Sequence, residues 1–491
     1  MKLSDFLKHH GIISNPFAEE DAQSDSVFQN GCVETARHPG WDKIFGDPAL
    51  PSTSIVFGEK GSGKTALKIQ MNRQIDKFNQ ETPGKRDFVI QYDDFNPFLD
   101  AFQERFSKFW RKPATLLKNW KLWDHIDAIL TLGVTKLTDQ ALQIRDANGN
   151  VDPELNLKAL DDNQKRDFLL LAALYDQSPS GGQYSRWTKL RKKLGVYNLA
   201  AWKWFSVAAA WLLLFLLCAI GLWRLEVLKS SHILSVYFWL ALFIGFVPWI
   251  WRFVTLHWEA RKLWKNLRVR NFDKAPMRQI LLDTPTSQLT GQPLPTRAQS
   301  DGRYALLEKF SNLTKVLGYK SIVVLVDRVD EPYMITGSAP LMRDFIWPLL
   351  DNKLLKYPHV AFKMLLPAEL YDFAKKENNE FNERSRLDKQ NLIPSLTWTG
   401  HSLYDLVNAR LAACTDKTMV DVPETLDKWF DDNMTFDHLT SSLERIRTPR
   451  RVFKFLYELM CEHAQSFTDQ NPQWRIATSE FDGTLKHFLK D

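Results

Sequence analysis

Two uncharged apolar runs dominate the hydropathy pattern. Phe205 to Trp223 and Ile233 to Trp251 are each 19 residues long. As helices they would be about 28 Å long, close to the thickness of a bilayer's hydrocarbon core. Nine residues, Arg224 to His232, join them. The pattern therefore predicts an antiparallel two-helix hairpin across a membrane, over residues 201–256. A buried core hairpin in a soluble protein is the alternative. The other apolar runs are short. Ser54 to Phe57, Phe88 to Tyr92, Ser321 to Val326 and Val360 to Leu366 read as strands buried on both faces, as in a parallel sheet. Ala66 to Phe78, Arg303 to Leu317 and the chain from Leu403 onward read as helical. Phe95 to Tyr175 is aromatic and amphipathic and reads as a helical insertion, with Trp110, Trp120 and Trp123 in its core. Pro276 to Thr296 holds four prolines and reads as an extended connector. The expected fold class is α/β: a parallel sheet with a helical insertion, a two-helix transmembrane hairpin and a C-terminal helical lid.

Composition sharpens this picture. At 491 residues, 44% hydrophobic and 25% charged, the chain is globular rather than disordered or fibrous. Its four cysteines have no close spacing, which excludes a CxxC zinc or redox site and suits a reducing compartment. Nine of the 18 tryptophans fall between Trp202 and Trp264, as interfacial anchors would. Charge sets the orientation. Arg186 to Trp204 holds six Lys/Arg and no acid, and Arg252 to Arg270 holds six and one acid, Glu259. Both flanks and both termini are then expected on the cytoplasmic side of the cell (inner) membrane. The flanks and joining loop together net +12, so the remaining chain carries −6 of the total of +6. The basic balance is thus membrane-flanking charge, which argues against a nucleic-acid surface. Met1 to Glu20 has no apolar core of a signal peptide, so the first apolar run is expected to act as the insertion signal.

The chemistry is concentrated at two strand ends. Ser54 to Phe57 runs into Gly58-Glu59-Lys60-Gly61-Ser62-Gly63-Lys64-Thr65 and then a helix, which is G-x-x-x-x-G-K-[ST] in a strand–loop–helix context. Gly58, Gly61 and Gly63, with Ser62, let backbone N–H groups turn toward phosphate oxygens, helped by the positive end of the helix. Lys64 is placed for the β- and γ-phosphates, and the Thr65 hydroxyl for Mg²⁺. The partner strand, Ser321 to Val326, ends in Asp327, the expected metal acid. Asp330 and Glu331 follow as candidates for polarising an attacking water, or as solvated loop charges. Lys363 and Glu369, in and after the next strand, are candidates for a group that senses the γ-phosphate, or are structural. No HExxH or His/Asp cluster suggests a catalytic zinc.

With Leu387-Asp388-Lys389-Gln390, Ile393-Pro394, Asn408-Ala409-Arg410-Leu411 and Arg447-Thr448-Pro449-Arg450-Arg451-Val452-Phe453, this layout resembles the KAP family of P-loop NTPases. That family lies on the STAND side of the AAA+-like ATPases and carries membrane helices inside its ATPase domain. The resemblance covers 50–100, 303–410 and 440–460. It implies ATP and Mg²⁺ as cofactors, a lid whose arginine faces the nucleotide (Arg450, or Arg451), and bacterial members linked to phage exclusion. Arg384 and Arg386 lie where related ATPases place a finger toward a neighbouring subunit, so a homo-oligomer is one implication; a surface salt bridge is the other reading. One position departs: Arg328 stands where the family has a second acid.

The expected organisation is a leading segment and first part of a P-loop NTPase core at 1–100 and a helical insertion at 101–200. The hairpin at 201–256 and a linker at 257–302 follow. The second part of the core is then at 303–400 and the lid at 401–491. The leading expectation for function is a membrane-anchored ATP hydrolase acting as a signalling or assembly switch with a protein partner. A non-hydrolysing nucleotide-binding scaffold is the alternative, favoured by Arg328. A nucleic-acid-associated loader is a third reading, disfavoured by charge.

Overall fold

The structure is a computed structural model. It describes all residues except 108–110, 146–148, 150–151, 197–199, 225–242, 244–245, 272, 285–290, 417–423 and 491. The chain divides into two compact units: Met1–Phe95 with Gly318–Asp491, and Asn96–Leu317.

The first unit is built on a five-stranded sheet, with β1 Ser54–Gly58, β2 Arg86–Tyr92, β3 Tyr319–Val326, β4 Val360–Pro367 and β5 Asn391–Ile393. Every pairing is parallel and the order is β2-β3-β4-β1-β5. The apolar strands form here because a central parallel strand is covered on both faces. On one face Val56, Val89, Val323, Leu325 and Leu365 meet Leu67, Met71 and Ile75 of the helix Lys64–Glu81. Phe57, of opposite parity to Val56, meets Tyr371 of the helix Ala368–Lys376 with ring centroids 5.2 Å apart. β4 separates β1 from β3, and the carboxyl ends of all three open on one edge. That edge is where open α/β sheets take ligands.

The C-terminal part of this unit is helical, with Gly400–Cys414, Phe436–Ile446, Pro449–Ser466 and Thr478–Phe488. The extreme N-terminus belongs with these helices. Phe6, Leu7, Ile12 and Phe17 share a core with Leu411, Trp429, Leu443 and Leu456. His10 bridges Glu424 Oε2 at 2.7 Å and the Trp474 carbonyl at 2.9 Å. Phe453 is buried and Tyr457 is exposed. Gly400 is dictated by packing: a Cβ there would lie 2.0 Å from the Thr440 carbonyl oxygen.

The second unit has helices and connecting segments but no strand among its described residues, and it enters the chain between β2 and β3. Its helices include Leu122–Leu142, Asp162–Tyr175, Gln183–Lys193, Ala200–Arg224, Val247–Asn266, Lys274–Asp283 and Asp301–Val316. Trp120 is core, as expected, and Trp110 lies outside the described residues. Two boundaries differ from the sequence expectation. The helix 301–316 groups with this unit rather than with the sheet. The expected linker also contains the end of the helix Val247–Asn266 and the whole helix Lys274–Asp283. Pro276 sits in the first turn of Lys274–Asp283, where its missing N–H breaks no intrahelical bond.

The expected transmembrane hairpin is not found: among the described residues, no helix is long and apolar enough to cross a membrane. The second apolar run lies mostly outside the described residues, and so do several side chains of Ala200–Arg224. The described side chains on that 25-residue helix are nonetheless unburied: Leu213, Leu214, Leu217 and Ile220 are all more than half exposed.

The basic flanks also differ from expectation. Arg186 is buried and pairs with Asp176 and Asp139, each at 2.8 Å. Arg268 pairs with Asp124, and Arg270 donates to the carbonyls of Leu174 and Asp176. Much of the charge counted as free for a membrane surface is therefore spent inside the unit. Lys189, Lys192, Lys193, Arg261, Lys262 and Lys265 remain exposed.

The most enclosed of these pairs joins Arg303 to Asp127, which are 1% and 0% exposed. Arg303 Nη2 donates to Asp127 Oδ2 at 3.2 Å, and the Tyr175 hydroxyl donates to Oδ1 at 2.7 Å. Removing one charge strands the other in the core, which typically costs about 3–5 kcal/mol. Asp127→Asn is expected to lower the melting temperature of this unit by roughly 10 °C in a calorimetric scan. A shift under about 2 °C would show that the pair contributes no net stability.

Candidate functional site

The loop after β1 has the geometry its glycines imply. Gly61 and Gly63 adopt φ of +84° and +95°, a region that side chains disfavour. Gly63 then caps the helix Lys64–Glu81. A Cβ on Gly61 would sit 2.8 Å from Arg450 Cβ, and one on Gly58 would sit 2.5 Å from Ser62 Oγ. The Ser62 hydroxyl is itself buried and has no hydrogen-bond partner among the described residues. Lys64 Nζ curls back over the loop, donating to the Gly58 carbonyl at 2.7 Å and the Glu59 carbonyl at 3.0 Å. Burial pulls its pKa down, and the carboxylates of Asp330, Asp327 and Glu369 oppose that shift.

The two strand ends meet across β4. Thr65 Oγ1 donates to Asp327 Oδ2 at 3.2 Å. Asp327 is 1% exposed, and burial raises its pKa against the pull of Lys68, the Arg328 backbone N–H and Thr65. The next residue, Arg328, takes φ of +58°. A left-handed non-glycine costs about 1–2 kcal/mol, and the turn it makes directs Asp330 and Glu331 toward the same cavity. Arg328 Nε lies 3.5 Å from Glu331 Oε1, and burial raises the pKa of Glu331 while Arg328 lowers it. The two acids therefore differ: Glu331 is tied to Arg328, and Asp330 is not among that arginine's ion-pair partners.

The start of the helix Pro449–Ser466 closes the other side. The Arg450 backbone N–H donates to the Gly61 carbonyl at 3.3 Å, and its guanidinium reaches the Glu20 carbonyl at 3.3 Å. Trp398 Nε1 donates to the Ser62 carbonyl at 2.9 Å. Arg447 lies 3.5 Å from Glu59. Arg450 lines the cavity, whereas Arg451 stands over the Phe488 ring at 5.4 Å and does not.

Lys363 is not at the site. It is buried in mid-strand, donates to the Ile44 and Phe45 carbonyls at 2.9 and 2.7 Å, and has its pKa lowered to about 7 by burial. Glu369 opens the helix Ala368–Lys376 and acts on Lys64 through charge. Arg384 donates to the Trp347 carbonyl, and neither it nor Arg386 lines the cavity.

Gly61, Gly63, Lys64, Thr65, Asp327, Asp330, Glu331, Trp398 and Arg450 border one cleft with about 1120 Å³ of empty space, which includes open solvent. Several of its walls were not legible in the sequence. Asp25, Phe28, Cys32 and His38 come from the N-terminal segment, Gln70 from the loop helix, and Arg410 and Phe453 from the C-terminal helices. Arg410 is held by Asp25 Oδ2 at 2.6 Å and the Pro16 carbonyl at 2.7 Å, and it stacks 4.5 Å over Phe453. The lining thus sets the charged and polar groups of the loop and strand ends beside apolar Phe28 and Phe453. Among the described residues no group of three or more His, Cys, Asp or Glu could hold a metal alone. Thr65 and Asp327 fit a cation that takes its remaining ligands from phosphate and water, as Mg²⁺ does. No family profile matches the chain, and no curated protein or solved structure is significantly similar to it.

Proposed function

We propose that the first unit is a P-loop NTPase domain that binds ATP with Mg²⁺ and hydrolyses it slowly, as a switch tethered to a membrane. The observation that carries this is the meeting of Thr65 and Asp327 at 3.2 Å, from a glycine loop and an acid strand at one edge of a parallel sheet. Gly61, Ser62 and Gly63 would present backbone N–H groups to the phosphates, and Lys64 would leave its two carbonyls to donate to them. Thr65 and Asp327 would hold the Mg²⁺, which neutralises charge developing on the transferred phosphoryl group. Asp330 is the better placed base for water, since Glu331 is engaged by Arg328. Arg450 joins the lid helix to the loop. A triphosphate and a diphosphate would attract it differently, which gives the lid a reason to move.

The membrane tether is supported by the exposed leucines of helix 200–224, since soluble proteins rarely leave so long an apolar surface in water. A non-hydrolysing scaffold is the second reading, and the Arg328–Glu331 pair is what favours it.

Phosphate release by wild type, Asp330→Ala and Glu331→Ala separates the two. On the hydrolase reading Asp330→Ala loses about 100-fold or more in turnover and Glu331→Ala less than about tenfold. Wild-type protein that binds ATP and releases no phosphate would leave only the scaffold.

A further inference from the structure

The helix Lys64–Glu81 carries a second lysine one turn beyond the loop. Lys68 is 3% exposed. Its ammonium donates to Asp93 Oδ2 at 2.6 Å and lies 3.7 Å from Asp327 Oδ2, the oxygen that also accepts from Thr65. Asp93 follows β2 and Asp327 follows β3, its neighbour in the sheet. Two carboxylates from adjacent strand ends thus converge on one buried cation. Positions four apart share a helix side, so the fold that aims Thr65 and Lys64 at the strand ends also brings Lys68 beneath them. A buried ammonium is tolerated only when paired, and here one partner, Asp327, lines the cavity while the other, Asp93, follows the neighbouring strand.

We propose that Lys68 is a built-in counter-cation for Asp327: a positioning residue that orients the acid-strand carboxylate and competes with a divalent cation for it. The placement of Lys68 is independent of the nucleotide reading; its consequence for Mg²⁺ rests on that reading. A metal ion approaching Thr65 and Asp327 meets an ammonium already close to the oxygen it would use, and like charges at such separations repel strongly. The protein therefore keeps its loop and acid strand assembled without a metal. The divalent ion is held only when a triphosphate brings enough negative charge to outweigh the lysine. Mg²⁺ would arrive with ATP rather than wait in the site.

The test is a Mn²⁺ titration of the full chain, read by electron paramagnetic resonance with and without ATP. Nucleotide affinity is measured in EDTA on the same samples. Wild type is expected to bind Mn²⁺ tightly only with ATP present. Lys68→Met is expected to raise Mn²⁺ affinity about tenfold or more in both conditions. Asp93→Asn leaves Lys68 only Asp327 to pair with, and is expected to lower it. General loosening of the site would move both variants the same way, so the opposite signs are the signature. Thermal unfolding shows that each variant is folded, and Asp93→Asn still reads the effect if Lys68→Met is not. Shifts of the same sign, or none, overturn the proposal. A wild type that binds no nucleotide in EDTA overturns the nucleotide reading instead, since the ATP-free Mn²⁺ titration still reads Lys68.

Discussion

Lys64→Ala is expected to lower ATP affinity by at least about a hundredfold while the protein stays folded. The lysine begins the helix after the glycine loop and bonds back across the loop, to the carbonyls of Gly58 and Glu59. Those carbonyls can be satisfied by water once it is gone, so the fold loses little. The phosphates lose two charge-assisted hydrogen bonds worth about 1.5–3 kcal/mol each, which converts to two or more decades in affinity. Thermal shift offers a direct measurement. ATP should raise the melting temperature of wild type and leave Lys64→Ala nearly unmoved, because a ligand stabilises only the state it binds. Affinity retained within about threefold would mean that the loop does not grip the phosphates.

The second large effect concerns the apolar helix. Leu213 and Leu217 are 62% and 65% exposed and lie four residues apart, on one side of helix 200–224. If that side faces lipid, each lysine placed there costs about 2.5–3.5 kcal/mol near the bilayer centre. Leu213→Lys with Leu217→Lys together would then cost roughly 5–7 kcal/mol. Wild type is expected to stay with the membrane fraction through an alkaline carbonate wash, and the double variant to appear in the wash. Wild type released by the same wash would remove the tether from the proposed function, and the leucines would need a protein partner to cover them. The nucleotide prediction does not depend on this outcome, since Lys64 and the sheet lie in the other unit.

Some of the architecture was readable because it is written locally. The strands at 54–58, 319–326 and 360–367 follow from short apolar runs rich in Val, Ile, Leu and Phe, as suit a strand covered on both faces. The loop at 58–65 follows from glycine spacing, because a backbone that turns its N–H groups inward must pass through left-handed conformations. The connector at 276–296 differs from expectation in its first part, for a local reason too: Pro276 falls in the first turn of the helix Lys274–Asp283, where proline fits, while 291–296 is non-helical as expected. The basic flanks differ from expectation for a non-local one. A count of arginines does not know that Asp176, Asp124 and Asp139 wait on other helices to take them inside.

The sequence by itself determined that a strand, a glycine loop and a helix form one unit, that an acid ends another buried strand, and that a long apolar segment separates the two. Each of these is a property of neighbours along the chain, set by backbone stereochemistry and hydrophobic period. Only the tertiary structure decided that β4 lies between the two functional strands, that Arg450 rather than Arg451 meets the loop, and that Arg410 and Phe453 share a cavity with the first 40 residues. It also brought Lys68 between Asp93 and Asp327. Those are meetings of residues far apart in the chain, and the free energy that selects them comes from burying surface and pairing charge across the whole unit, which no short window of sequence contains.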